Sequence, residues 1–124
     1  MVIDFANNVT MLASVDVGPA TITTDPVPVM DARTFVQIIS NAHSIFGIGA
    51  TASLAVQLEG SNDGQTFVPQ TAIADITATV EGAQETSGPA PYSYVRLKFV
   101  LTPTGAATEW VTCTFDVHAN FSER

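Results

Sequence analysis

The sequence predicts an all-β chain that folds as a single antiparallel β-sandwich of the jelly-roll kind. Apolar and polar residues alternate with a period of two in several segments, which is the pattern of strands with one buried face. No segment carries the apolar spacing of an amphipathic helix, and clusters of turn-forming residues separate the alternating segments at short intervals. A chain of 124 residues can bury one hydrophobic core without disulfides, so one domain is expected over 1–124.

The first alternating segment is 9–17, in which the odd positions are apolar. Gly18 and Pro19 end this segment. The prolines within 25–28 exclude a central strand there, because proline donates no hydrogen bond to a sheet. The residues that precede the segment, 1–8, are expected to form a short extended N-terminal arm.

The next two strands are expected at 34–39 and 53–59, where β-branched and large apolar residues alternate with polar ones. Between them, Gly47 and Gly49 interrupt the chain and predict a loop.

A tight reversal follows at 60–64, with the sequence Gly-Ser-Asn-Asp-Gly. Asp63 and Gly64 are predicted to be its structural turn residues, because Asn, Asp and Gly tolerate the positive φ angles of hairpin turns.

The hairpin is expected to return over 65–68, and 73–80 is a weaker strand candidate because alanines dilute its pattern. The segment 81–91 is polar and rich in Gly and Pro, which predicts an exposed loop. The last two strands are expected at 94–101 and 109–119, each with one continuous apolar face.

The charge balance excludes several classes of function. Only 13% of the residues are charged, and 12 acids against 4 basic residues give a net charge of -8. Four basic side chains cannot neutralise a nucleic-acid backbone or hold the chain on a membrane surface, so neither partner is expected.

Residues 34–58 carry no Asp, Glu, Lys or Arg, but polar residues and glycines are spread through them, so a membrane span is not expected. The opening residues also lack the basic start of a secretory signal.

Residues suited to catalysis or metal binding are few, and none forms a recognised motif. Cys113 is the only cysteine and lies in a predicted strand, so it is interpreted as a buried, inert thiol. His43 and His118 have no metal-ligand neighbour at the usual spacings. The remaining candidates are acids without EF-hand spacing, interpreted as turn-forming and solubilising residues: Asp63, Asp75, Glu81 and Glu85. We therefore expect no enzyme activity, no cofactor and no metal.

Several apolar residues are left over once each strand has buried one face. Those in loops, near the termini or opposite the predicted core are Phe5, Phe46, Ile48, Trp110 and Phe121. Two interpretations stay open at this stage: they form an interface with another protein, or they cover the open ends of the sandwich.

Two segments resemble a known family. The strand and hairpin Val-Gln-Leu-Glu-Gly-Ser-Asn-Asp-Gly-Gln-Thr-Phe at 56–67, followed by Tyr-Ser-Tyr-Val-Arg-Leu at 92–97, are similar to small β-sandwich virion structural proteins of tailed bacteriophages. The similarity covers roughly 34–119. The hairpin alone also resembles the Asp-box turn of sialidase-like propellers and hairpins of carbohydrate-binding sandwiches.

The resemblance implies a capsid decoration (cement) protein that binds the outer surface of the virion. On this hypothesis the partner is the major capsid protein, the chain is a homo-oligomer with a trimer favoured, and it is made in the host cytoplasm. One alternative is a tail, fibre or baseplate module. Another is a carbohydrate-binding module that stacks sugars on Trp110, Tyr92 or Tyr94.

Overall fold

A computed structural model of the chain describes residues 2–29 and 34–123, and this part of the chain is built from strands. In chain order they are β1 (Val2–Ser14), β2 (Ala20–Thr23), β3 (Val27–Pro28), β4 (Thr34–Ile48), β5 (Thr51–Ser61), β6 (Val68–Pro69), β7 (Ile76–Ala78), β8 (Gly82–Pro89), β9 (Tyr94–Thr104) and β10 (Trp110–Glu123). No helix long and apolar enough to cross a membrane occurs within these residues.

The strands form two sheets. The four-stranded sheet has the order β1-β10-β4-β8. The second sheet has the order β2-β9-β5-β6, with β3 also pairing with β9 and β7 with β5. Every strand pair is antiparallel. The predicted fold class, an all-β antiparallel sandwich, is confirmed.

The core lies between the two sheets and follows directly from the alternation in the sequence. In β9 and β10, alternate side chains are fully buried. Phe99 of β9 and Phe115 of β10 meet edge to face across the sandwich, with ring centroids 5.1 Å apart. Burying a side chain of this size stabilises a fold by roughly 1.5–3 kcal/mol, so these two strands supply much of the core.

The expected N-terminal arm is wrong, because most of it is part of a strand. Met1 lies outside the described residues, but from Val2 onward the chain pairs with β10, beginning with Val2 opposite Asn120. Two register shifts interrupt the pairing before Val9, and Asn8 has a positive φ of 55°. These bulges interrupt the alternation of inward and outward residues in β1, so its first residues do not show the period of two that predicts a strand.

The expected loop at 81–91 is also wrong over most of its length. Gly82–Pro89 forms β8, which pairs with β4 from Phe35 to Ala42. β8 is an edge strand and most of its side chains are exposed. Its sequence therefore has no apolar face that would have predicted a strand.

Other strand limits differ in length. The strands expected at 34–39 and 53–59 extend toward each other as β4 and β5 and meet at a tight turn with Gly49 at φ 76°, which replaces the expected loop. The candidate at 73–80 is a strand only over Ile76–Ala78.

Deleting residues 1–8 should destabilise the fold. The deletion removes the pairing of Val2–Ala6 with β10 and the packing of the Phe5 ring, whose centroid lies 6.5 Å from that of Phe121. We expect the free energy of unfolding to fall by about 3 kcal/mol or more, measured by urea denaturation. Val2→Ala, at an exposed position, is the control and should change it by less than about 0.5 kcal/mol. An unchanged stability on deletion would show that these residues form an independent arm.

Candidate interaction surface

The predicted turn residues lie in a hydrogen-bonded hairpin between β5 and β6. Asp63 Oδ1 accepts hydrogen bonds from the backbone N–H groups of Gln65 and Thr66, both at 2.8 Å, and from Ser61 Oγ, also at 2.8 Å. These donors hold the pKa of Asp63 well below its usual range. Gly64 has a φ of 77°, which a residue with a Cβ adopts only with strain.

The residues that carry the family resemblance pack around this hairpin. Arg96 Nε donates to Glu59 Oε1 at 2.8 Å, and the Arg96 guanidinium lies 4.2 Å from the centroid of the Phe67 ring. The Tyr92 ring covers Gly60 so closely that a Cβ there would overlap it. These side chains make the hairpin rigid, and Tyr92 is used for packing.

The five candidate interface residues divide into two groups. Phe121 is only 5% exposed and belongs to the core, where it contacts the half-buried Phe5. Phe121 is therefore not available to a partner, and the rings of Phe5 and Phe121 pack against each other at the core.

The other three candidates come together on the outer face of the four-stranded sheet. Phe46 and Ile48 are each 54% exposed, and the ring centroids of Phe46 and Trp110 lie 5.9 Å apart. Strand register brings them together, because Phe46 pairs with Thr112 on β10 and Gly49 forms a bridge with Trp110.

Two further apolar residues join this group and were missed in the sequence. Leu12 pairs with Thr112 from the other side of β10, so Leu12, Thr112 and Phe46 form one row across three strands. Val17 projects from the following turn and is 83% exposed. Leu12 was the apolar exception at an even position in 9–17, which is the signal that marks an outward apolar residue. We call Leu12, Val17, Phe46, Ile48 and Trp110 the apolar end.

The apolar end contains an open groove of about 580 Å³. Its walls are the end of β1, the turn that follows it and the start of β10. The lining residues are Leu12, Ala13, Ser14, Val17, Gly18, Pro19, Ala20, Trp110 and Thr112. None of them is charged.

Glu109 fixes the turns beneath the apolar end. Its carboxylate accepts a hydrogen bond from the backbone N–H of Ala106, and its backbone carbonyl accepts one from Val15 at 3.0 Å. The same carboxylate lies directly against Gly49, where a Cβ would overlap it. Glu109 thus reaches the turns after β4 and β9 with its side chain and the turn after β1 with its backbone carbonyl.

A polar network lies beside the apolar end on the same sheet face. His43 Nε2 and Asp116 Oδ2 are 2.6 Å apart, and the other oxygen of Asp116 accepts from the backbone N–H of Asn8. The Asn8 amide and His43 hold the pKa of Asp116 below its ordinary value. Thr10 and Thr114 share a hydrogen bond of 2.8 Å. These bonds join β1, β10 and β4 across the bulge in β1.

The groups considered for chemistry lie apart from one another. Cys113 is fully buried, and burial raises the pKa of its thiol to about 11, which keeps the sulfur protonated at neutral pH. Across 2–29 and 34–123, no three His, Cys, Asp or Glu side chains converge in a way that would hold a metal ion.

With this geometry established, comparisons with known proteins place the fold. No family model matches the chain. No curated protein matches it either.

Solved structures of viral particles do match. The VP2 subviral particle of infectious bursal disease virus superposes with a TM-score of 0.60 and 12% identity, over 96% of this chain and 31% of that chain. The Gt strain of the same virus gives a TM-score of 0.59 and 13% identity, over 99% and 32%. The Gx strain gives 0.57 and 12%, over 99% and 31%. The chain thus shares the β-sandwich fold of viral structural proteins and spans about a third of their length.

The contact between Gly49 and Glu109 can be tested with a double-mutant cycle. Gly49→Ala adds both strain at positive φ and overlap with the Glu109 carboxylate, so we expect it to cost about 2–3 kcal/mol of unfolding free energy. In a Glu109→Ala background only the strain remains, and the cost should fall to about 1 kcal/mol. Equal costs in both backgrounds, measured by denaturant unfolding, would mean that the two residues are not coupled.

The Asp116 network predicts a pH-dependent contribution to stability. The pKa of Asp116 is lowered in the folded state, so the ionised carboxylate stabilises the fold. This contribution is fully present at pH values above the ordinary pKa of 3.8 and is lost as the pH falls through the lower pKa of the folded state. Asp116→Asn should therefore have a lower melting temperature than the natural chain near neutral pH, and the difference should shrink in strong acid. Asp25→Asn removes a carboxylate from an exposed loop and controls for the change in net charge. A difference that persists unchanged into strong acid would contradict the prediction.

Proposed function

We propose that the chain is a structural protein of a virus particle, and specifically a capsid decoration (cement) protein of a tailed bacteriophage. The observation that carries the proposal is the extent of the structural likeness. Almost the whole chain, 96–99% of it, superposes on proteins of viral particles.

The surface chemistry supports a role in lattice contacts. Association removes water from the surfaces that meet, and desolvating charged groups is costly. This chain carries few charges, and on its four-stranded sheet the apolar end lies beside an Asp116 carboxylate that is already paired with His43. Large areas can therefore be buried with few charges to desolvate.

The proposed location is the outer surface of the capsid, with the major capsid protein as partner and a homo-oligomer, a trimer by preference, as the bound form. A net charge of -8 favours the outside of the shell, because packaged DNA would repel it. Strand addition by residues 1–8 is not part of the proposal, because Val2 onward already pairs with β10.

We also propose that the chain binds and does not catalyse. The thiol of Cys113 is buried, and His43 is paired with Asp116, so both side chains already have a structural role. Neither side chain lines the groove of the apolar end.

A carbohydrate-binding role has less support. Trp110 lies beside the start of β5, whereas Tyr92 and Tyr94 lie at its far end, opposite Gly60 and Ser61. An 11-residue strand separates the two ends by about 35 Å, so these rings do not form one stacking platform.

Copy number in purified virions tests the proposal. A decoration protein should be present at on the order of hundreds of copies per particle, and quantitative mass spectrometry should find it in isolated heads. Its confinement to isolated tails would favour a tail, fibre or baseplate module. Its absence from particles would overturn the structural role. Glycan-array binding that disappears in Trp110→Ala would favour the carbohydrate-binding alternative.

A further inference from the structure

We propose that the apolar end is the surface through which a second copy of this chain binds. The inference deepens the proposed function, since it assigns the homo-oligomer contact to particular residues. Its core is the row Leu12, Thr112 and Phe46, with Trp110 and Val17 beside the groove.

The apolar residues are concentrated in this region. The large apolar residues exposed in the described part of the chain are Val2, Leu12, Val17, Ile22, Phe46, Ile48, Val68 and Val80. Four of them belong to the apolar end, where they surround the partly buried indole of Trp110. A cluster of this kind marks an interaction site, whereas the scattered exposed residues need no such explanation.

Charge indicates which partner the apolar end fits. A basic partner would be attracted to the acidic surfaces of the chain, so an uncharged patch is not what it would select. Two copies with a net charge of -8 repel each other, and they can approach only where carboxylates do not face carboxylates. No residue lining the groove is charged, so the groove itself places no carboxylate against a second copy.

Shape agrees with self-association. Contacts between identical chains use surfaces that complement the same surface, or a neighbouring one, on the other copy. Val17 projects from one wall of the groove of about 580 Å³, and Phe46 contacts Trp110, which lines another wall. Projection and hollow therefore lie on one surface.

The apolar end is also held in place before any partner arrives. Glu109 joins the turns beneath it, and β4 and β10 pair along their length behind Phe46 and Trp110. A rigid surface loses little conformational entropy on binding, which favours association.

The test compares oligomeric state among matched aspartate variants. Val17→Asp and Phe46→Asp place a carboxylate in the apolar end. Val80→Asp places one at a valine of intermediate exposure, 67% against 83% for Val17 and 54% for Phe46, in the turn between β7 and β8. Sedimentation equilibrium across a dilution series gives the dissociation constant of each, and circular dichroism verifies that each is folded.

We expect the natural chain and Val80→Asp to associate equally, and each variant in the apolar end to associate about thirtyfold more weakly or not at all. Trp110 is the only tryptophan, so its emission should shift to shorter wavelength with concentration in the natural chain and in Val80→Asp only. If Phe46→Asp fails to fold, Val17→Asp in the exposed turn decides.

Three outcomes would overturn the inference. These are an entirely monomeric natural chain, normal association of all three variants, and a loss of association in Val80→Asp as large as in the other two. A monomer found at high copy number in virions would contradict only the inference. An oligomer absent from virions would contradict only the proposed function.

Discussion

The structure depends on β10, which is bonded on both sides and buried on one face. Trp110–Glu123 pairs with β1 along one edge and with β4 along the other. Its inward residues are fully buried and include Phe115, which packs on Phe99 of the opposite sheet. Because successive side chains of a strand point to opposite faces, this burial forces Trp110, Thr112, Thr114 and Asp116 outward. The core and the candidate surface are thus two faces of one strand.

That constraint explains which parts of the fold were predictable. The alternation in β5, β9 and β10 is regular, and each of these strands has neighbours on both edges, so the sequence pattern and the structure agree. β1 and β8 are edge strands. The bulges in β1 change which residues face inward, and β8 buries little of its surface, so neither strand carries a period of two. β1 pairs with β10 and β8 pairs with β4, and the local sequence of β1 and β8 does not predict these pairings.

The candidate surface was predictable to a similar extent and for related reasons. Phe46, Ile48 and Trp110 stood out because they had no place on a predicted inward face, and register brings them together. Phe121 lies on the inward face because β10 continues past the predicted end of the strand at 119. The even position of Leu12 marks it as outward, but its place in the row depends on its pairing with Thr112, a contact between residues 100 positions apart that no local pattern reveals.

The contrast between the two ends of β5 separates stabilising aromatic residues from those free to bind. At the Ser61 end, Phe67 contacts Arg96, and Tyr92 covers Gly60, so their rings are already occupied within the chain. At the Thr51 end, Phe46 contacts Trp110 but stays more than half exposed, although the turns beneath it are fixed by Glu109. These side chains are left in solvent although the support beneath them is fixed. Apolar side chains that stay exposed on such a fixed support contribute nothing to the folding of a single chain. They would contribute favourably if they were buried against another chain.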